Sequence, residues 1–148
     1  MKQQLRSNFK QAKGFTLIEL IIVIIILGIL AVTAAPKFID IQGEARESVM
    51  KGVEGSIRSA ATMANAKALV AGVTSGNISV GNSTIAILNS YPTNATMISM
   101  LTLDDSISHT TGTFQHPSAT TPAGCQVTYV QPVNAGDEPT ITGTYTDC

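Results

Sequence analysis

Glu19 stands where a carboxylate is hard to accommodate. It sits inside an apolar stretch from Phe15 to Ala35 whose only other polar side chains are Thr16 and Thr33. An ionised carboxylate among apolar neighbours is expensive unless it is paired or neutralised, so Glu19 requires a partner. Other residues able to do chemistry are few. His109 and His116 lie seven apart in a Ser/Thr-rich segment with no acid or thiol at metal or catalytic spacing, which favours ordinary surface histidines. Asp104-Asp105 fits an exposed turn or helix cap better than a cation site. Asn77-Ile78-Ser79, Asn82-Ser83-Thr84 and Asn94-Ala95-Thr96 match N-x-S/T, a pattern that so Asn-, Ser- and Thr-rich a stretch produces by chance. No phosphate loop, nucleophile triad or cofactor box is present. The expectation is a non-enzyme with no catalytic residue, no cofactor and no metal.

The elements that must position Glu19 follow from hydropathy and charge. Leu20 to Val32 contains no polar side chain, and with its flanks it has the length of a membrane span. Lys2, Arg6, Lys10 and Lys13 place four of the nine basic groups ahead of it, which orients the N-terminus to the cytoplasm. Residues 1–14 look like a leader. Residues 15–36 form the hydrophobic helix, in which Gly28 is a weak point and Pro36 a break or bend. Beyond it, Phe38, Ile41, Ala45, Val49, Val53, Ile57, Ala61, Ala64 and Ala68 recur at spacings of three or four, predicting an amphipathic helix over 37–71 that ends near Gly72 and Gly76. Glu47 with Lys51 and Glu54 with Arg58 are acid-first pairs on its polar face. One continuous helix over 15–71 would span roughly 85 Å, too long to hide in a domain of this size. Its first half must lie in lipid or against other copies.

After Lys67 no basic residue follows, while Asp104, Asp105, Asp137, Glu138 and Asp147 do. That acidic half repels phosphate backbones, so no nucleic-acid partner is expected. Residues 73–124 are expected to be loop with brief helix or strand. QVTYVQ at 126–131 and TITGTY at 140–145 flank a turn-like Asn134-Ala135-Gly136-Asp137 and predict an antiparallel hairpin. Cys125 and Cys148 lie on the exported side, where a pair is normally oxidised, and are expected to form one disulfide closing residues 125–148. Two free thiols or a metal fragment is the alternative. The fold class is α+β, a long helix packed on a small antiparallel sheet, with residues 37–148 as the globular part.

The stretch Lys13-Gly14-Phe15-Thr16-Leu17-Ile18-Glu19, followed by an unbroken apolar run, resembles the prepilin peptidase site of type IV pilins. The resemblance implies cleavage between Gly14 and Phe15, N-methylation of Phe15, and a subunit stored in the inner membrane before extraction into an extracellular filament on a Gram-negative-type surface. It implies that the new α-amine of one copy meets Glu19 of the next, which sets axial register. It also implies that the segment between Gly28 and Pro36 can lose helicity in the filament. The terminal cysteine pair is similar to the disulfide-bounded region of pilins. Implied partners are further copies, the membrane, the prepilin peptidase, and the assembly machinery of motor ATPases, platform protein and outer-membrane pore. The segment GFTLIELIIVIIILGILAVTAAPKFIDIQGEAR is especially similar to mannose-sensitive haemagglutinin pilins, and Phe15 with the short leader to the type IVa class.

Two other classes of function remain open on sequence grounds. A minor pilin or secretion pseudopilin would share the same N-terminus, although the cysteine pair at the extreme C-terminus leans toward a true pilin. A secreted binding domain would use residues up to about 35 as a conventional signal peptide, but Glu19 inside the hydrophobic region and the helical stripe from Phe38 to Ala68 speak against it.

Overall fold

The computed structural model describes residues 14–148; side chains of Ala35, Pro36, Phe38, Ile39 and Asp40 are outside that description. Of the leader expected over residues 1–14, residues 1–13 with their basic groups lie outside the described residues. The fold is α+β: among the described residues, one α-helix, α1 (Leu17–Ala71), is followed by seven short strands in two antiparallel sheets. The chain divides into two compact units, the first ending at Ile39 and the second spanning Asp40–Cys148.

In the first unit, α1 runs through both Gly28 and Pro36 without interruption. The expected break at Pro36 is absent: a proline removes one N–H from the ladder, and the turns on either side continue. None of the Leu17–Ala34 stretch is buried, and its mean hydropathy is 3.0. By length and composition it is able to cross a membrane.

In the second unit, α1 ends in a Schellman motif. The Val73 N–H donates to Ala68 O (2.9 Å), the Gly72 N–H to Leu69 O (3.1 Å), and Gly72 takes φ +66°, a conformation that carries little penalty only for glycine. Strands β1 (Gly76–Val80), β2 (Ser83–Leu88) and β3 (Tyr91–Pro92) follow in an antiparallel sheet with Ile78 opposite Ile85. A 3-10 turn over Met97–Met100 leads to β4 (Ser108–Thr110) and β5 (Thr113–Gln115). A second over Pro122–Gly124 leads to β6 (Gln126–Val130) and β7 (Thr140–Thr144). These four strands form the second sheet in the order β4-β5-β6-β7, with Tyr129 opposite Ile141. The hairpin expected over 126–145 is therefore present. Residues 73–124 hold more structure than expected, five strands and two 3-10 turns.

The core lies along one stripe of α1, but not the whole stripe expected. Met50, Val53, Ile57, Ala60 and Ala61 pack with Met97, Ile107, Phe114, Val127 and Tyr129. Ala64 and Ala68 pack with Ile78, Ile85 and Ile87 in a second, smaller cluster. Ile41, Ala45 and Val49 are exposed, Ile41 by 61%. Both choices keep the three-and-four spacing, so periodicity alone cannot tell which face meets the sheets.

Candidate assembly site

The first turn of α1 contains a capping box not anticipated from the sequence. Thr16 precedes the first helical residue and Glu19 is the third within it. The Glu19 N–H donates to Thr16 Oγ1 (3.3 Å), and the Thr16 N–H and hydroxyl both donate to Glu19 Oε2 (3.4 Å). The S/T-x-x-E spacing satisfies orphan amides at both residues and was legible at Thr16-Leu17-Ile18-Glu19. Within one chain, then, Glu19 is a cap, and its exposed carboxylate remains open to another molecule.

Around this turn no contact among the described residues calls for the small or large side chains present. A Cβ placed on Gly14 would meet no atom within 4 Å, and the same holds for Gly28. Gly28 lies mid-helix, where glycine is less favourable than alanine by about 1 kcal/mol. Phe15 is 88% exposed, and every large apolar residue from Leu17 to Val32 is also exposed.

The C-terminal region fastens onto the polar flank of α1. Cys125 and Cys148 are joined in a disulfide, with Cys125 fully buried in the larger cluster. Arg46 donates to the backbone oxygen of Cys148 and to Gln42 Oε1. The Tyr145 hydroxyl donates to Glu54, whose other oxygen accepts from Arg58 Nη2 at 2.6 Å; Arg58 also reaches Ile141 O at 3.2 Å. The bond from Tyr145 and the neighbouring guanidinium hold the Glu54 carboxyl below its ordinary range. Desolvation, with Glu54 beside it, pushes the Tyr145 phenol up to about 12. Lys51 pairs with Glu47 at 2.6 Å, so both acid-first pairs are formed.

The remaining candidates stay apart. His109 stacks on Phe114 with ring centroids 6.4 Å apart. His116 has a buried Nδ1 with no hydrogen-bond partner among the described residues. Asp104 Oδ1 accepts the Ser106 N–H in a tight turn, and that bond lowers its pKa. Among the described residues no three His, Cys, Asp or Glu side chains gather as a metal site. Asn77 and Asn82 are exposed, and Asn94 and Gln131 each donate a backbone N–H to the other's side-chain oxygen.

A helix with a capped, exposed apolar front half and a sheet-covered rear half defines a class of protein with a pilin-like architecture. Comparison with known proteins agrees with that class. The profile described as Prokaryotic N-terminal methylation motif matches residues 9–35. The chain is 45% identical over 58 residues to the "Type IV narrow pilus major component PilA5" of Thermus thermophilus, a match covering 39% of this chain. It spans 50% of that relative's length. No solved structure matches. Motif and relative together support a type IV pilin subunit.

Proposed function

We propose that this chain is the structural subunit, the major pilin, of a type IV pilus, a non-enzymatic protein that polymerises into a surface filament for adhesion or motility. The observation that carries the reading is the exposed apolar helix Leu17–Ala34, none of it buried, opened by Gly14-Phe15-Thr16 and a single carboxylate. Prepilin peptidase cleaves between Gly14 and Phe15 and methylates the new amine. The subunit waits in the inner membrane and is moved by the assembly machinery to the extracellular pilus. Glu19 pairs with the Phe15 amine of a neighbouring copy and sets axial register, since an unpaired charge in the filament core is worse than none. Gly28 and Pro36 bound the segment that yields when the filament stretches. The narrower likeness to mannose-sensitive haemagglutinin pilins rests on residues 14–46.

The capping box supplies a clean test of the Glu19 role. Glu19→Gln keeps a side chain able to close the box but removes the charge. If register depends on the charge, the variant is cleaved normally and gives few or no sheared filaments; abundant normal filaments would refute it. For the wild type, the intact mass of sheared protein should begin at Phe15, heavier by a methyl group and lighter by the two hydrogens of the disulfide. A soluble species beginning near Ala35 would mean a conventional signal peptide. A correctly processed species that is only a trace of the sheared material would assign a minor pilin instead.

A further inference from the structure

The chain between β5 and β6 reads Pro117-Ser118-Ala119-Thr120-Thr121-Pro122, three hydroxyls within four residues bounded by a proline on each side. Neither proline has an N–H to give to a neighbouring strand, so the segment stays out of the sheet whose strands it joins. The His116 N–H donates to Cys125 O, the Ala119 N–H to His116 O and the Gly124 N–H to Thr121 O, which pins the loop to its own roots. Within it only Ala119 is buried, its methyl group set into the larger cluster. Ser118, Thr120 and Thr121 are exposed, as are both prolines, and the backbone at Thr121 is extended.

These three hydroxyls are also uncommitted: none makes a hydrogen bond among the described residues. Those on α1 differ, because Ser48, Ser56, Ser59 and Thr62 each donate to the carbonyl four residues earlier. Thr128 and Thr142 differ in another way, standing opposite each other in β6 and β7, where drawing the backbone into an enzyme cleft would break a ladder. A proline-bounded run of free Ser and Thr hydroxyls has the composition of an O-glycosylated segment. Phosphate fits it worse. No Lys or Arg follows Lys67, and Asp147 packs so closely on Gly124 that a Cβ there would lie 2.6 Å from its carboxylate oxygen. A phosphate added beside it would gain no cation from its own half of the chain and would stand near a like charge.

We propose that this loop is a site of O-linked glycosylation, on Ser118, Thr120 or Thr121, with a neutral sugar as the group transferred. The donor is a sugar whose anomeric carbon is esterified to a diphosphate. The hydroxyl oxygen attacks that carbon and forms the new C–O bond. The carbon–oxygen bond to phosphate breaks, the diphosphate leaves with its electron pair, and the hydroxyl proton passes to a base of the transferase. A bulky group attached here projects into solvent beside the disulfide and disturbs no packing, since the one packed side chain of the loop is that of Ala119. The N-x-S/T asparagines are poorer acceptors by the same criteria: Asn94 is tied to Gln131, and Asn77 lies in a paired strand opposite Ala86. The site is built from the unit Asp40–Cys148 alone and does not depend on the filament reading.

Mass spectrometry of the mature protein from the cells that make it tests the site, first intact and then as peptides fragmented by electron transfer, which leaves a sugar on its residue. The expected species is heavier than the unmodified chain by whole sugar residues, with the addition on Ser118, Thr120 or Thr121. A series rising one sugar at a time would identify a nucleoside diphosphate donor, and a single block of several sugars a lipid diphosphate donor; both uphold the site. The combined Ser118→Ala, Thr120→Ala and Thr121→Ala variant should lose the whole addition and keep the near-ultraviolet circular dichroism of the wild type. Should that variant fold poorly, the residue assignment in the wild type decides alone. A mature chain of unmodified mass, an addition carried by Asn82 or by another segment, or a phosphate on these hydroxyls would overturn the proposal. The filament reading is judged separately, by whether sheared filaments form.

Discussion

Replacing both Cys125 and Cys148 by alanine is the perturbation with the clearest expected size. The bond links residues 23 apart in sequence, and removing a cross-link of that span returns loop entropy to the unfolded chain worth about 3.4 kcal/mol at 25 °C. A unit of roughly 110 residues, Asp40–Cys148, converts that into a fall in melting temperature of about 15 °C. Cys125 is fully buried, so the lost sulfur adds a small packing penalty in the same direction. The assay is thermal unfolding of the full chain in detergent micelles, followed by near-ultraviolet circular dichroism. Tyr129 and Tyr145 report the globular unit there, whereas the apolar helix contributes no tyrosine. Reducing the wild type should produce nearly the same fall. A shift below about 4 °C in both experiments would refute the reasoning, because it would mean that the hairpin and its contacts to α1 hold the C-terminal segment without the bond.

Tyr129→Phe removes the buried hydroxyl that donates to Pro92 O at 2.6 Å and leaves that carbonyl unpaired, which should lower unfolding free energy by about 1–3 kcal/mol in denaturant titrations. Gly112→Ala forces a side chain onto φ +81° and sets its Cβ 2.6 Å from Tyr129 O; a loss of at least about 1–3 kcal/mol is expected. Gly72→Ala, at φ +66° but in open space, should lose only about 1–2 kcal/mol, and the two melting curves compared side by side check the steric part. Stability should also fall at both pH extremes. The Glu54 carboxyl is depressed in the fold, so its contribution is present above its unfolded pKa near 4.5 and is lost as pH falls through the lower folded value. The Tyr145 phenol is raised, so its contribution is full below its unfolded pKa near 10 and is lost as pH rises through about 12; melting curves at intervals across both windows measure each limb.

Much of the assembly helix was legible because its signals are local. An uninterrupted apolar run, four leading cations and a lone Glu need no tertiary context, and neither do the acid-first pairs on α1. The β6-β7 hairpin was legible for the same reason, with β-branched and aromatic runs on both sides of a turn. The middle of the chain was harder. Ile78, Ile85 and Ile87 do alternate with polar residues around Gly81-Asn82, which marks β1-β2 as a hairpin, but the surrounding Ser, Thr and Asn give the stretch the composition of a loop. Strands as short as β4 and β5 have no periodicity to detect. They exist because β5 pairs with β6 further along the chain, Phe114 opposite Val127, and Tyr129 donates its N–H to Gly112 O in the turn between β4 and β5. The buried face of α1 was missed at Ile41 and Val49 because α1 carries two uncharged stripes, and only the sheets decide between them. The capping box is written in Thr16-Leu17-Ile18-Glu19 itself, as a local S/T-x-x-E pattern.

The two clusters along α1 are unequal, and this has a consequence for how the molecule comes apart. The larger contains Met50, Ile57, Phe114 and Tyr129 and is cross-linked beside Cys125, whereas the smaller joins Ala64 and Ala68 to three isoleucines of β1 and β2. Two alanines bury little area, so the β1-β2 hairpin should open on its own well below the global unfolding free energy. Its amides should exchange with deuterium before those of β6. A lineage carrying this fold can therefore redecorate that hairpin, at the end of the long helix, with little risk to the rest of the subunit.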